Sequence, residues 1–270
     1  MKRPPLLLRI GVLCYVGVLV GVPLAFLFQQ AFRRGWGAFW TALHDHTMDS
    51  ALILTAKVAV VAVPLNVLFG VGVSLWIVRH PSRFTRILDR LIDVPLAVSP
   101  IIVGLILELT YAQNGWFGSA LSALGWRVIF STPGIVMASA FVSLPLVSRQ
   151  VIPLLRVIGD HQEQTASTLG ASPVRIFCTI TLRSIAWAVI YGVTLTLARV
   201  IGEYGAVLVV SGNIAVVTQT LTLNIGANFE NYNSYQGFVG AVVLALMSVA
   251  VLLVLSIARQ RERRRSEYLA

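Results

Sequence analysis

Long apolar runs alternate with shorter polar stretches along the chain. Six runs reach spanning length: residues 6–28, 52–78, 91–111, 133–155, 184–210 and 237–257. A helix needs roughly 20 apolar residues to cross the hydrocarbon core of a membrane, so each run predicts one transmembrane helix. The fourth is the most interrupted, with Pro145, Arg149 and Pro153 in its second half. The third carries two prolines in its first half, Pro95 and Pro100. Proline removes a backbone donor and kinks a helix, and the freed carbonyls can then line a cavity. The remaining segments are too short to fold as catalytic domains. One polar island stands out, residues 160–183, reading DHQEQTASTLGASPVRIFCTITLR. It holds a short helical pattern, a turn signal at Gly170-Ala171-Ser172-Pro173, and a second amphipathic piece with Arg175 and Arg183. It is too long for a tight turn and too short for a domain, which suits a docking surface. The expected architecture is all-α, a polytopic membrane protein of about six transmembrane helices. A permease-like body spans 1–258 and a basic tail 259–270.

Composition agrees. The chain is 57% hydrophobic and only 12% charged, about half the charged share of a soluble domain. The net charge of +10 would suggest nucleic acid in a soluble protein. Here its distribution points to lipid headgroups instead. The outer segments hold only Arg33, Arg34 and Arg127, and Lys57 and Arg199 lie within spans. The other sixteen of the 21 Lys and Arg fall on the inner side. The positive-inside rule then puts both termini and the island in the cytoplasm of a multi-pass protein. The N-terminal run, after Lys2, Arg3 and Arg9, is longer than a signal-peptide core and reads as an uncleaved first span. The two cysteines, Cys14 and Cys178, make no disulfide framework. The tail 259–265 reads as a basic anchor on anionic lipid.

Some chemistry is excluded. The only lysines are Lys2 and Lys57, so no phosphate-cradling loop of the G-x-x-x-x-G-K-[ST] type exists. His44 and His46 lack clear further ligands, no nucleophile elbow is present, and neither an enzyme nor a metal or cofactor site is expected. Charges inside spans cost at least ~2.5–3.5 kcal/mol each and are functional candidates by default. Arg199 and Glu203 are four apart on the fifth run and share a helix face. Two readings stand: they neutralise each other to hold the bundle, or Arg199 lends positive potential to an anion pathway with Glu203 orienting it. Gly202 and Gly205 flank Glu203 and permit close helix approach. Asp93 and Glu108 lie in the third run, and Lys57 in the second is placed to snorkel.

The island's spacing resembles the cytoplasmic coupling loop of ABC-importer permeases, Glu-Ala-Ala, three residues, Gly, nine residues, Ile-x-Leu-Pro. Ala166, Gly170, Ile180 and Leu182 match. Gln164 stands where the family has Glu, Thr165 where it has the first Ala, and Arg183 where it has Pro; Glu163, one residue earlier, offers a substitute carboxylate. Further stretches are similar to the sulfate/thiosulfate importer permeases, and among them to the second membrane subunit. These are Asp93-Val94-Pro95-Leu96-Ala97-Val98-Ser99-Pro100, Asn114-Gly115-Trp116-Phe117-Gly118, Ala198 to Val207, and Val209-Val210-Ser211-Gly212. Molybdate and tungstate permeases share the Arg-x-x-Gly-Glu-aromatic-Gly-Ala core. The resemblance implies a type I ABC-importer permease fold in a bacterial cell membrane. It implies a paralogous permease subunit, a cytoplasmic ABC ATPase dimer and an extracytoplasmic sulfate-binding protein as partners, with sulfate or thiosulfate as cargo. On that basis Arg199, Glu203, Ser99 and Pro100 are expected along the substrate pathway, and Glu163, Gln164, Ala166, Gly170, Ala171 and Ser172 at the ATPase contact.

Overall fold

The computed structural model describes residues 6–267. Lys2 and Arg3, and the last residues of the tail, lie outside the described residues. In chain order the helices are α1 (Leu6–Phe32), α2 (Trp36–Leu43), α3 (His46–Arg79), α4 (Arg83–Leu91), α5 (Val94–Ala97), α6 (Pro100–Tyr111), α7 (Gly118–Ala123) and α8 (Thr132–Ser143). They continue as α9 (Pro145–Ile158), α10 (His161–Thr168), α11 (Pro173–Ile176), α12 (Leu182–Ile201), α13 (Gly205–Ser211), α14 (Leu221–Glu230) and α15 (Ser234–Glu267). A π-helical turn, Phe177–Thr181, joins α11 to α12. No strand occurs among the described residues.

Five stretches are long and apolar enough to cross a membrane: Cys14–Phe32, His46–Arg79, Thr132–Ile158, Pro173–Ile201 and Ser234–Val254. The sixth is a broken pair, Arg83–Ala97 and Pro100–Tyr111, bent by 106°. Five of the six expected spans thus coincide with a long apolar stretch, and the third is a bent pair rather than a single helix. The run 91–111 breaks at Val98 and Ser99, both extended, with ψ of 139° and 135°. Pro100 forces this, because its ring disfavours the helical region for the preceding residue. It then opens α6 at a position where its missing N–H costs nothing. With 12 residues, α6 is roughly 18 Å long, well short of the roughly 30 Å hydrocarbon thickness.

The run 184–210 also divides. The helix α12 ends at Ile201, residues 202–204 leave the helix, and α13 resumes at Gly205. The fourth run, by contrast, absorbs its prolines. Pro145 takes the first position of α9, and the two halves continue as one span. At the far end α15 continues through 259–265 to Glu267, so the tail is a helical extension of the last span.

The centre of the bundle is a crossing of α3, α9 and α12 on one side chain. Val147, Val151 and Ile185 are fully buried there. A Cβ on Gly70 of α3 would lie 2.6 Å from Val147 Cβ, and one on Gly192 of α12 would lie 2.9 Å from Val147 Cα. Both glycines are needed for that backbone approach, the usual role of small residues between membrane helices. The helix α1 packs mainly along α15 and α2, through Phe28, Ala31, Phe39, Val239 and Val242, and most of its described apolar side chains stay exposed. The stretch 211–236 folds back into the protein. Leu221 and Leu223 of α14 are fully buried, and Leu223 packs against Leu54 and Val58 of α3.

Candidate functional site

The two helix breaks meet. A Cβ on Gly205, the first residue of α13, would lie 3.2 Å from both Pro100 Cβ and Ile101 Cγ1. One turn further, a Cβ on Gly104 would lie 2.8 Å from the Ala206 carbonyl oxygen. The half-length helices α6 and α13 thus pack backbone to backbone, with the Ser99–Pro100 break against the 202–205 break. Residues separated by a hundred positions in sequence are brought to one place.

Glu203 sits inside this junction, 3% exposed. Its Oε1 accepts from the Ala206 N–H at 3.0 Å, in the first turn of α13, where a carboxylate is favoured. Its Oε2 lies 3.1 Å from Arg199 Nη2, an ion pair without hydrogen-bond geometry. Its backbone carbonyl accepts from the Thr222 hydroxyl at 2.7 Å. The expected pair therefore forms, although Glu203 has left the helix on which i, i+4 spacing placed it. Burying a lone carboxylate is costly, and here two positive partners offset that cost. Arg199 is different, because 41% of its side chain is exposed. It stands in the last turn of α12, where a cation is favoured by the helix dipole.

Sequence reasoning missed the polar support behind the junction. The Thr55 hydroxyl of α3 accepts from the Leu221 N–H at 2.9 Å and donates to the Ala51 carbonyl, pinning the start of α14 to α3. Five neutral side chains then form a head-to-tail ladder. The Gln219 amide donates to Asn213, Asn224 to Gln219, Asn228 to Asn224, and Asn233 to Asn228, each at 3.0–3.1 Å. Gln219 and Asn224 are buried and Asn233 is exposed. Asn224 and Asn228 are four apart, a spacing that could have pointed to a shared helix face.

The opposite end of the bundle is ionic. Arg149 on α9 donates to both carboxylate oxygens of Asp93 at 2.5 Å and to Asp89 at 3.0 Å, and Arg156 reaches Asp89 at 2.9 Å. This ties α4 and the base of the broken span to α9. Beside it Arg79, the last residue of α3, donates to Glu163 Oε1 at 2.6 Å and to the Gly159 carbonyl at 3.2 Å. The Thr181 hydroxyl donates to the same Glu163 oxygen at 2.7 Å. Glu108 is half-buried on α6 and Lys57 is exposed on α3.

The island itself is open. Gln164 donates to Asp160 on the helix surface. Gly170 turns the chain with φ +82°, left-handed territory that suits glycine, and the Ala171 N–H bonds to the Ala166 carbonyl. The Ser172 hydroxyl caps α11 by accepting from the Arg175 N–H at 3.4 Å. Leu169 and Val174 project with 83% and 72% exposure, large apolar groups bare on an otherwise polar surface. Among the residues expected at an ATPase contact, Glu163 differs in bonding its side chain to α3 and to the π-helical turn.

Such a body, with paired helix breaks inside the spans and an apolar-studded island at its ionic end, is that of a multi-pass membrane transport subunit. The chain belongs to the family described as the binding-protein-dependent transport system inner membrane component, which it matches over residues 66–266. It is 40% identical to the sulfate transport system permease protein CysW of Synechocystis sp., over 92% of this chain and 90% of that one. It is 38% identical to the Escherichia coli K12 protein of the same name, over 94% and 87%, and 32% identical to the sulfate transport system permease protein CysT of Escherichia coli K12, over 93% and 90%. The fold is similar to a chain of a bacterial ABC transporter that imports the acidic polysaccharide alginate. The TM-score is 0.76 at 14% identity, covering 95% of this chain and 94% of that one.

Proposed function

We propose that this chain is one of two membrane-spanning subunits of an ATP-driven importer for sulfate or thiosulfate, each supplying half of the pore. The observation that carries the cargo is its 40% identity, nearly end to end, to a sulfate permease. Sulfate is a strongly hydrated dianion, and its pathway needs positive potential without a tight grip. Arg199 supplies that potential at the crossed breaks, Glu203 holds it in place, and Ser99 and Pro100 open the helix beside it. The chain carries no nucleotide-binding loop, so ATP hydrolysis falls to separate cytoplasmic ATPase subunits. Gln164, Ala166, Gly170, Ala171 and Ser172, with bare Leu169 and Val174, form the surface that meets them.

The second pore subunit is a paralogue, a reading supported by the similarity to both CysW and CysT proteins. An extracytoplasmic binding protein delivers the anion. The alginate transporter of like fold has been crystallised in complex with a periplasmic protein. The ionic end faces the cytoplasm of a bacterial cell, with both termini on that side.

The test is an Arg199→Ala importer reconstituted with its ATPase and binding protein. Sulfate uptake should fall at least about tenfold, the lower range of what a focused charge does for local ion concentration. Unchanged uptake by a correctly assembled variant would remove Arg199 from the pathway. ATPase stimulation by molybdate-loaded rather than sulfate-loaded binding protein would move the assignment to the molybdate and tungstate permeases.

A further inference from the structure

We propose that Glu163 is a positioning residue that closes a mechanical frame inside the permease and makes no contact with the ATPase. This rests on the reading of the island as the coupling site. The Glu163 carboxylate is 21% exposed and collects Arg79 and Thr181 on a single oxygen. Arg79 ends α3, and Thr181 is the last residue of the π-helical turn that feeds α12. One carboxylate on α10 therefore holds the bases of two long helices. Arg79 also grips the Gly159 carbonyl at the end of α9, so the start of the island is held at the same point.

Followed away from the island, both helices arrive at one place. The strut α3 runs from Arg79 to Thr55, whose hydroxyl binds the Leu221 N–H. The strut α12 runs from Thr181 to its end at Ile201, two residues before Glu203, whose carbonyl binds the Thr222 hydroxyl. Leu221 and Thr222 are consecutive, at the start of α14. The loop is closed: Glu163, α3, Thr55, α14, Glu203, α12, Thr181 and back to Glu163. Each strut is a helical segment of roughly 30–36 Å at 1.5 Å per residue. A displacement of α10 reaches both struts through Glu163, and both deliver it beside the Arg199–Glu203 pair. Without the Glu163 joint the frame is open at its base, and α10 reaches α12 only along the chain, through α11 and the π-helical turn. A π-helical turn at that corner adds a locally adjustable register, a feature frequent at functional sites.

The experiment uses the reconstituted importer with sulfate as the probe, measuring uptake and ATP hydrolysis in the same vesicles, with ATPase retention on purification. For Glu163→Gln the ATPase should remain bound and hydrolyse ATP, while sulfate moved per ATP falls about tenfold, the scale of one lost charge-assisted hydrogen bond. Thr181→Val should lower the same ratio less, and exchanging the charges, Arg79→Glu with Glu163→Arg, should restore part of the loss. An unchanged ratio in Glu163→Gln overturns the proposal, and so does release of the ATPase by that variant, which would put Glu163 in the docking surface. Should the charged-pair variants fail to insert, Thr181→Val decides, and an unchanged ratio there overturns it. The coupling reading is tested separately by Leu169→Asp: full ATPase retention and transport in that variant would sink the island as a docking site, whatever Glu163→Gln does.

Discussion

At one end of the bundle Arg149 grips Asp89 and Asp93 while Arg79 grips Glu163; at the other, five uncharged amides pass hydrogen bonds from Asn233 to Asn213. Both ends solve the same problem, holding broken or re-entrant backbone in place. The ionic end does so with few, strong, charge-assisted bonds between elements far apart in sequence. The amide end does so with many modest bonds inside one stretch of about twenty residues. Charge pairs are reversible under load and sensitive to the surroundings. A neutral ladder adds no further charge beside the Arg199–Glu203 pair. The ionic end adjoins the exposed polar island, and the amide end adjoins the Arg199–Glu203 pair through Thr222.

The comparison is broken most strongly by Arg149→Ala. Losing that guanidinium strands Asp93 and half of Asp89, at a cost of about 2–3 kcal/mol. Thermal unfolding in detergent should show it, and the deficit should shrink when salt is raised from 0.1 to 1 M and the Debye length contracts from about 10 to 3 Å. A salt-independent deficit would mean that packing, not charge, holds this end. Next comes Asn224→Leu, which cuts the ladder at its buried middle and leaves the Gln219 carbonyl unpaired. The expected loss is about 1–2 kcal/mol, the same at both salt concentrations. Asn233→Ala removes only the exposed last rung and should change stability by no more than about 0.5 kcal/mol. A larger loss would make the ladder a cooperative unit rather than a set of separate bonds.

Run length sufficed to find the spans, because hydropathy responds to how many apolar residues are consecutive and the membrane requires a minimum. The same property hid the breaks. Val98 and residues 202–204 lie within apolar surroundings, so a window passes over them. Pro100 and the glycines at 202 and 205 hinted at disruption without saying that the helices end. The burial of the stretch 211–236 was hidden for the opposite reason. Its threonines and asparagines look solvent-facing, and only the partners found in three dimensions, Thr55 and the Glu203 carbonyl, make their burial tolerable. The Arg199–Glu203 pair was visible from spacing alone, since the partners are four residues apart. The Arg79–Glu163 pair was not, because its partners are 84 positions apart and nothing in a single sequence connects them.

The valine wedged between two glycines also constrains how the bundle can move. One turn along α3 from Gly70 stand Asn66 and Ser74; one turn along α12 from Gly192 stand Ala188 and Thr196. Sliding either helix by a turn of about 5.4 Å would drive a side chain into the space that Val147 occupies, where a single Cβ is already too much. Shear between α9 and its two neighbours is closed off. Rotation about the Val147 contact is not, because glycine offers a smooth face. Val147 is therefore the one point about which α3, α9 and α12 can turn against each other without a clash at these two glycines.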